Sequence, residues 1–223
     1  MTGSPLVHAP LFHLGPVPIS GQVMTSWILL VLLAAGAWWL RRHLSDERPG
    51  LVQSAAELAL ESIEAQIRDV VQREPGPFLP LIATLALFLA TANTLAILPG
   101  AEPPTAGLET DAALALLVFF AAHWFGIRHQ GLGGYLASFA RPAWVMLPLN
   151  IIAEVTRTFS LMVRLFGNMM AGVFVIAIAL SLAGLFVPIP LLALHLLTGL
   201  VQAYIFTSLA LVFIASAVSP EKG

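Results

Sequence analysis

The fold class this 223-residue sequence predicts is an all-α polytopic membrane protein, and three observations predict it. Apolar residues make up 58% of the chain and charged residues only 10%, where a soluble domain carries about a quarter charged. Mean hydropathy is +0.90. Several apolar runs reach or approach the roughly 20 residues an α-helix needs to cross a bilayer, and Pro-, Gly- or charge-rich stretches separate them. There is no cysteine, so disulfides, thiolate metal sites and thiol catalysis are excluded.

The runs resolve into one membrane domain, 1–223, with about five membrane segments and one interfacial helix. The first span is read at 19–40, with Trp27, Trp38 and Trp39 at interface depth. Its apolar core starts near Trp27 and ends in Arg41 and Arg42, the reverse of a secretory signal's basic start, so it is read as retained. Residues 51–74 are amphipathic: Val52, Ala56, Ala59, Ile63, Ile67 and Val70 recur at helical spacing, opposite Glu57, Glu61, Glu64, Arg68 and Gln72. Such a helix lies on the membrane surface or packs on a partner with a solvated acidic face.

Glu-Pro-Gly-Pro breaks that helix, and a second span follows at 78–98 with Asn93 inside it. A Pro-rich, acidic loop then runs to Asp111, a third span covers 112–127, and residues 128–144 read as a short basic loop. The chain finishes in two long apolar segments, 143–182 and 188–218, joined by a tight turn at 183–190. Forty helical residues extend about 60 Å, twice the hydrocarbon core. Strong tilt, as an antiparallel hairpin, is the expected solution.

Basic residues set the expected orientation. Arg41, Arg42, Arg48, Arg68, Arg73, Arg128, Arg141 and Lys222 fall on one side, while the N-terminal stretch and the segments 99–111 and 183–190 hold no Lys or Arg. By the positive-inside rule the N-terminus is external and the C-terminus cytoplasmic.

Within the long segment, Ser160–Gly172 reads SLMVRLFGNMMAG. A charge at this depth costs on the order of 2.5–3.5 kcal/mol on insertion scales, so its retention needs a reason. Glu154 and Arg157, at i and i+3, could neutralise each other or serve an ion path. Arg164 has no such neighbour: residues 160, 161, 167 and 168 are Ser, Leu, Gly and Asn. Its partner must come from elsewhere in the chain or from another chain. Glu154, Arg157, Leu161, Arg164 and Asn168 step by three or four and so share a helical face. Gly167, Ala171 and Gly172 allow a neighbouring helix to come close. On the last segment His195, Thr198, Gly199 and Gln202 follow the same rule. Antiparallel packing could bring Gln202 near Arg164 and set His195 level with the residues after Asn168; a lone helical histidine can also be a packing residue.

These residues resemble subunit a of the F-type ATP synthase, the membrane stator component beside the rotating c-ring. The family motif centres on an arginine in LRLFGNMxAG, and this chain reads VRLFGNMMAG at 163–172. Upstream, PLNIIAEVTRTFSLMVRLFGN is similar to the family's run into that motif, and downstream HLLTGLVQAYIFTSLALVFIA is similar to its last helix with the QAFIF box. PTAGLETDAALAL and GLGGYL also fall where the family has such segments. The likeness covers about residues 75–218, and the first 50 residues fit in layout alone.

The resemblance implies a non-catalytic subunit that forms two ion half-channels against the c-ring. Arg164 would match the stator arginine that discharges the ring carboxylate; Asn168 and Gln202 match positions near it; His195 matches a polar position in the outer half-channel; Glu154 and Arg157 match positions near the cytoplasmic entrance. Implied partners are the c-ring subunits, the peripheral stalk subunit b, membrane lipid and a transported H⁺ or Na⁺, in a bacterial inner membrane. No cofactor, no metal site and no nucleic acid are implied. The chain departs from the family in two places. Many bacterial members place a glutamate directly after GNMxAG, where this chain has Val173, so a paired Glu/His relay does not carry over. Thr158 stands where proline is common.

The alternative reading is a stand-alone ion-coupled secondary transporter. Those folds often carry internal repeats, but no repeat relates the halves of this chain, and the intramembrane charges all sit in its last third. An intramembrane hydrolase would need a motif such as G-x-S-x-G or H-E-x-x-H, which the sequence lacks, and there is no Gly-rich nucleotide loop.

Overall fold

A computed structural model of the chain describes residues 12–14, 17–19, 21–44, 50–96, 103–139, 146–183 and 188–218. Six α-helices hold almost all of them. Two three-residue strands precede the helices: β1 (Phe12–Leu14) pairs antiparallel with β2 (Val17–Ile19). No strand was expected from the sequence, and Ile19, read as the start of the first span, belongs to β2.

The helices are α1 (Gly21–Arg42), α2 (Leu51–Val71), α3 (Leu79–Leu95), α4 (Leu108–Phe139), α5 (Met146–Ala183) and α6 (Pro188–Val218), with a 3₁₀ turn at Pro104–Ala106. Four of them are long and apolar enough to cross a bilayer: α1, α5, α6 and the Leu108–Ala137 stretch of α4. The fifth apolar helix, α3, has 17 residues, about 25 Å, slightly short of a bilayer core. The fold is an all-α polytopic membrane protein. Residues 184–187 of the turn expected at 183–190 fall outside the described residues, as do Arg48, Arg141 and Lys222.

The structure corrects the third span. The helix begins at Leu108, not 112, and the segment read as a basic loop is helical through Phe139. It is interrupted only at Gly131, whose φ of 72° and ψ of 160° leave the helical region. A positive φ there is open to glycine at little cost. The charges of Arg128 and His129 suggested a loop, yet they merely project from exposed helix faces.

The core forms around α6, which packs against α2, α3, α4 and α5. Phe206, Ala210, Leu211 and Ile214 of α6 meet Ile82, Leu85 and Leu89 of α3, Ala115 and Val118 of α4, and Leu161 and Leu165 of α5. Only the second half of α2 joins this core, through Ile67 and Val71, while Gln66 Nε2 donates to Ser208 Oγ at 2.7 Å. Val52 and Ala59 on its expected apolar side are exposed. α1 is peripheral, with only Gln22 and Ser26 buried, and it touches α3, α4 and the 3₁₀ turn.

One polar tie crosses the apolar core. Asn93 Nδ2 on α3 donates to the Gly199 carbonyl of α6 at 2.6 Å, and Thr105 Oγ1 of the 3₁₀ turn donates to Asn93 Oδ1 at 3.1 Å. Glycine at 199 admits this approach, since a Cβ there would stand 3.1 Å from Asn93 Cβ. Both Asn93 and Thr105 are buried, so leucine at 93 leaves Thr105 without its acceptor. We expect Asn93→Leu to cost about 1–2 kcal/mol, read as a lower midpoint in a detergent unfolding titration.

Candidate functional site

Helix α5 lies one-sided on the bundle. Leu161, Leu165 and Met169, at helical spacing, are buried, and most of the rest of the helix is exposed. The polar stripe expected to share a face sits along the edge of this contact. Leu161, in the middle of the stripe, turns inward; Glu154 and Asn168 are half-buried; Arg157 and Arg164 are exposed. The edge position matters because a side chain there can reach both its own bundle and whatever covers the open side.

Two contacts fix α5 antiparallel to α6. At one end the Arg157 guanidinium lies over the Phe213 ring, 5.0 Å from its centroid, within cation–π range. At the other, His195 packs directly against Gly172: a Cβ at 172 would collide with the imidazole ring. These contacts bracket Arg164 and Asn168 on α5 and Gln202 on α6. His195 is therefore level with the residues after Asn168, as the spacing suggested. The small residues divide by role: Gly172 seats His195, whereas Gly167 has nothing near it and faces the open side with Ala171.

Charge along the edge is unevenly satisfied. Arg157 Nη1 lies 3.6 Å from Glu154 Oε2. Arg164 makes no ion pair with any described residue. Gln202 is buried and its Nε2 has no acceptor among the described residues; the same holds for Asn168 Nδ2. No hydrogen bond joins Gln202 to Arg164.

Two separate clefts open along the α5–α6 seam. One, about 540 Å³, is lined by Thr156, Arg157, Ser160 and Arg164 of α5 with Leu209 and Phe213 of α6. The other, about 220 Å³, is lined by Asn168, Gly172 and Ile176 with His195 and Thr198. Arg164 marks the inner limit of the first and Asn168 that of the second. Leu165 and Phe206, which fall within the stretch bracketed by the Arg157–Phe213 and Gly172–His195 contacts, are fully buried in the core. Of the six residues expected at the site, Arg157 and Arg164 line the first cleft, with Glu154 beside it as the ion-pair partner of Arg157, Asn168 and His195 line the second, and Gln202 lies buried between the bracketing contacts. Among the described residues no cluster of three or more His, Asp or Glu could hold a metal ion.

An arginine with no ion pair among the described residues, lining one of two clefts on the seam of the last two helices, invites comparison with known proteins. The ATP synthase A chain family model matches residues 23–215. The chain belongs to the ATP synthase A chain family. It is 55% identical to ATP synthase subunit a 2 of a Bradyrhizobium species, across the full length of both chains. It is 48% identical to ATP synthase subunit a 2 of Pelobacter propionicus, over 93% of this chain and 91% of that one. ATP synthase subunit a of Albidiferax ferrireducens is 46% identical, over 93% and 90% respectively. The match reaches into α1, further than the 75–218 over which the sequence motifs were recognised.

One polar group escaped the sequence reading. Asp111, taken as the end of an acidic loop, is fully buried in the first turn of α4. The signal was its spacing: Asp111, Ala115, Val118 and Ala122 fall on one helical face, which starting the helix at 112 concealed.

The Gly172–His195 seat gives a direct prediction. In Gly172→Ala the new methyl displaces the imidazole, so diethyl pyrocarbonate labelling of His195, read by peptide mass, rises severalfold over wild type.

Proposed function

We propose that this chain is the stator subunit a of a rotary F-type ATP synthase, forming two ion half-channels and supplying, through Arg164, the charge that discharges the c-ring carboxylate. The observation that carries this reading is Arg164 on the open edge of α5, with no counter-ion among the described residues. A guanidinium cannot be deprotonated in a protein. Its charge therefore demands an acid, and the open side is where an acid borne by another polypeptide would arrive.

In this reading the ring carboxylate meets Arg164 once per step. The fixed cation favours the ionised carboxylate, so the bound H⁺ or Na⁺ is released as each ring site arrives. The Asn168–His195 cleft serves as the outer half-channel and the Arg157–Arg164 cleft as the inner one, with Glu154 and Arg157 at the cytoplasmic entrance. Asn168 and Gln202 supply free amide donors close to the arginine's level. Subunit b, lipid and the ring cover the exposed apolar surface. The N-terminus is external and the C-terminus cytoplasmic, in a bacterial inner membrane, as the basic residues indicate. A stand-alone transporter has no comparable support: the relatives are named as synthase subunits.

Arg164→Ala is expected to abolish ATP-driven ion pumping by the assembled complex in vesicles, with the subunit still incorporated. Coupled transport persisting in that variant would contradict the role. His195→Ala is expected to slow pumping without abolishing it; a wild-type rate would leave His195 as a packing residue.

A further inference from the structure

Asp111 is fully buried, and neither of its carboxylate oxygens has a hydrogen-bond donor among the described residues. No cationic side chain there pairs with it. An ionised carboxylate isolated in an apolar interior is costly. A chain that keeps one must neutralise it, and the group able to do so without a protein partner is a small mobile cation: a proton, or a sodium ion.

Its place in the fold ties that cation to the one the protein transports. The buried face of α4 runs Asp111, Ala115, Val118, Ala122, Gly126. At the far end of this face Gly126 abuts α6: a Cβ there would stand 3.1 Å from the Ala217 carbonyl, which also accepts from Gln130 Nε2 at 2.6 Å. At the near end the Thr105–Asn93–Gly199 tie anchors the entry to α4 against α6. α4 and α6 thus run in the same direction, and the first turns of α4 lie at the level of Gly199. His195 and Gln202 stand one turn to either side of Gly199, and both are buried. Asp111 therefore belongs to the buried polar zone at the end of the bundle that carries the α5–α6 turn, the same end as the Asn168–His195 cleft. Gln22 of α1, also buried, closes over Gly107 one turn before it.

Among the described residues at this end Asp111 is the one buried acid. On α4 itself Glu109 is exposed. α6 contributes His195, and α5 contributes Asn168 there, with Arg164 further along the seam. α3 and the 3₁₀ turn contribute Asn93 and Thr105, and α1 contributes Gln22 and Ser26, none of which titrates.

We infer that Asp111 is a resting site for the transported cation on the outer half of the ion path, an inference that rests on the function proposed above. The cation neutralises the carboxylate while it waits. It then passes by way of the His195–Gln202 level toward the ring carboxylate, and Asp111 recharges from the outer side. The bond broken at Asp111 is O–H, or the O···Na⁺ contact; the carboxylate remains and nothing is oxidised.

The test uses the assembled complex in vesicles, with Asp111→Asn, which keeps shape and removes the charge, and Asp111→Glu, which keeps the acid. Asp111→Asn should incorporate normally and lose about tenfold or more of ATP-driven ion transport, the scale on which a positioned proton carrier contributes. Asp111→Glu should recover much of that rate. For a proton path the Glu variant shifts the pH dependence of transport; for a sodium path it changes the Na⁺ concentration giving half-maximal rate. Wild-type transport by the Asn variant at every pH and Na⁺ concentration overturns the inference, and so does a loss unaccompanied by either shift in the Glu variant, which would mark a structural role. Arg164→Ala is run alongside: loss there with a normal Asn variant defeats this inference alone, while normal transport in both defeats the function it rests on. Should Asp111→Asn fail to assemble, the wild-type complex decides. Dicyclohexylcarbodiimide adds to a protonated carboxyl and rearranges to an N-acylurea with no leaving group. Peptide mass should show that adduct on Asp111, suppressed by Na⁺ or by alkaline pH; an unmodified Asp111 overturns the assignment.

Discussion

The structure depends on how little of α5 its own chain covers. A membrane helix gains almost nothing by exchanging lipid for another apolar helix, so packing, polar ties and close approach decide where it sits. α6 takes most of what is available. In its most apolar membrane-length stretch 44% of the residues are buried, against 11% for α5. Of the two hairpin helices, the one that carries Arg164 is therefore the more open, held by Leu161, Leu165 and Met169, by the Gly172–His195 seat and by the Arg157–Phe213 contact. A more deeply packed α5 would have buried the guanidinium among apolar groups at prohibitive cost. A looser one would have lost the seam along which the two clefts are defined.

Two opposite charges then coexist without meeting. Arg164 stands on the open edge, and Asp111 lies inside the bundle; neither forms an ion pair with a described residue. A structural protein would be expected to pair them, since a buried carboxylate with an arginine partner is far less costly than either alone. Keeping them apart leaves two unsatisfied groups, and the ties around Gly199 are what hold the acid's end of the bundle in place. The cost is easier to understand if each charge is answered, in turn, by something that moves.

Much of this was legible in the sequence because local rules govern it. Apolar runs with Pro and Gly breaks gave the helices, and the long hairpin helices follow the pattern closely. Arg164 stood out because helix spacing alone shows whether an arginine has an acid within one turn. The level of His195 followed from antiparallel counting. What failed were inferences from charge to exposure. Arg128 and His129 suggested a loop, though exposed positions of α4 accommodate them. The Pro-rich acidic stretch before 112 suggested a surface segment, though Thr105 and Asp111 are buried within it. The burial of Thr105 is a tertiary fact: its hydroxyl bonds Asn93, which itself bonds the Gly199 carbonyl, a contact between residues 106 positions apart that no periodicity reveals. The edge position of the polar stripe was likewise hidden, because spacing identifies a face but not which side of it is covered.

The separation of the two clefts has a consequence for any ion that uses them. If the Asn168–His195 and Arg157–Arg164 clefts were continuous, a cation could run down the seam and dissipate its gradient with no work done. Leu165 and Phe206, within the stretch that the Arg157–Phe213 and Gly172–His195 contacts bracket, are both fully buried in the core, and a wet path past such packed side chains has to open a cavity. Arg164 adds electrostatic repulsion at the same level, in surroundings where a fixed charge is weakly screened. In the proposed reading, a cation that enters by one cleft reaches the other by leaving this chain on the open side of α5 and returning on the far side of the arginine. In the proposed reading the c-ring provides that detour, and the obligatory detour, more than the chemistry of any one residue, is what ties ion flow to rotation.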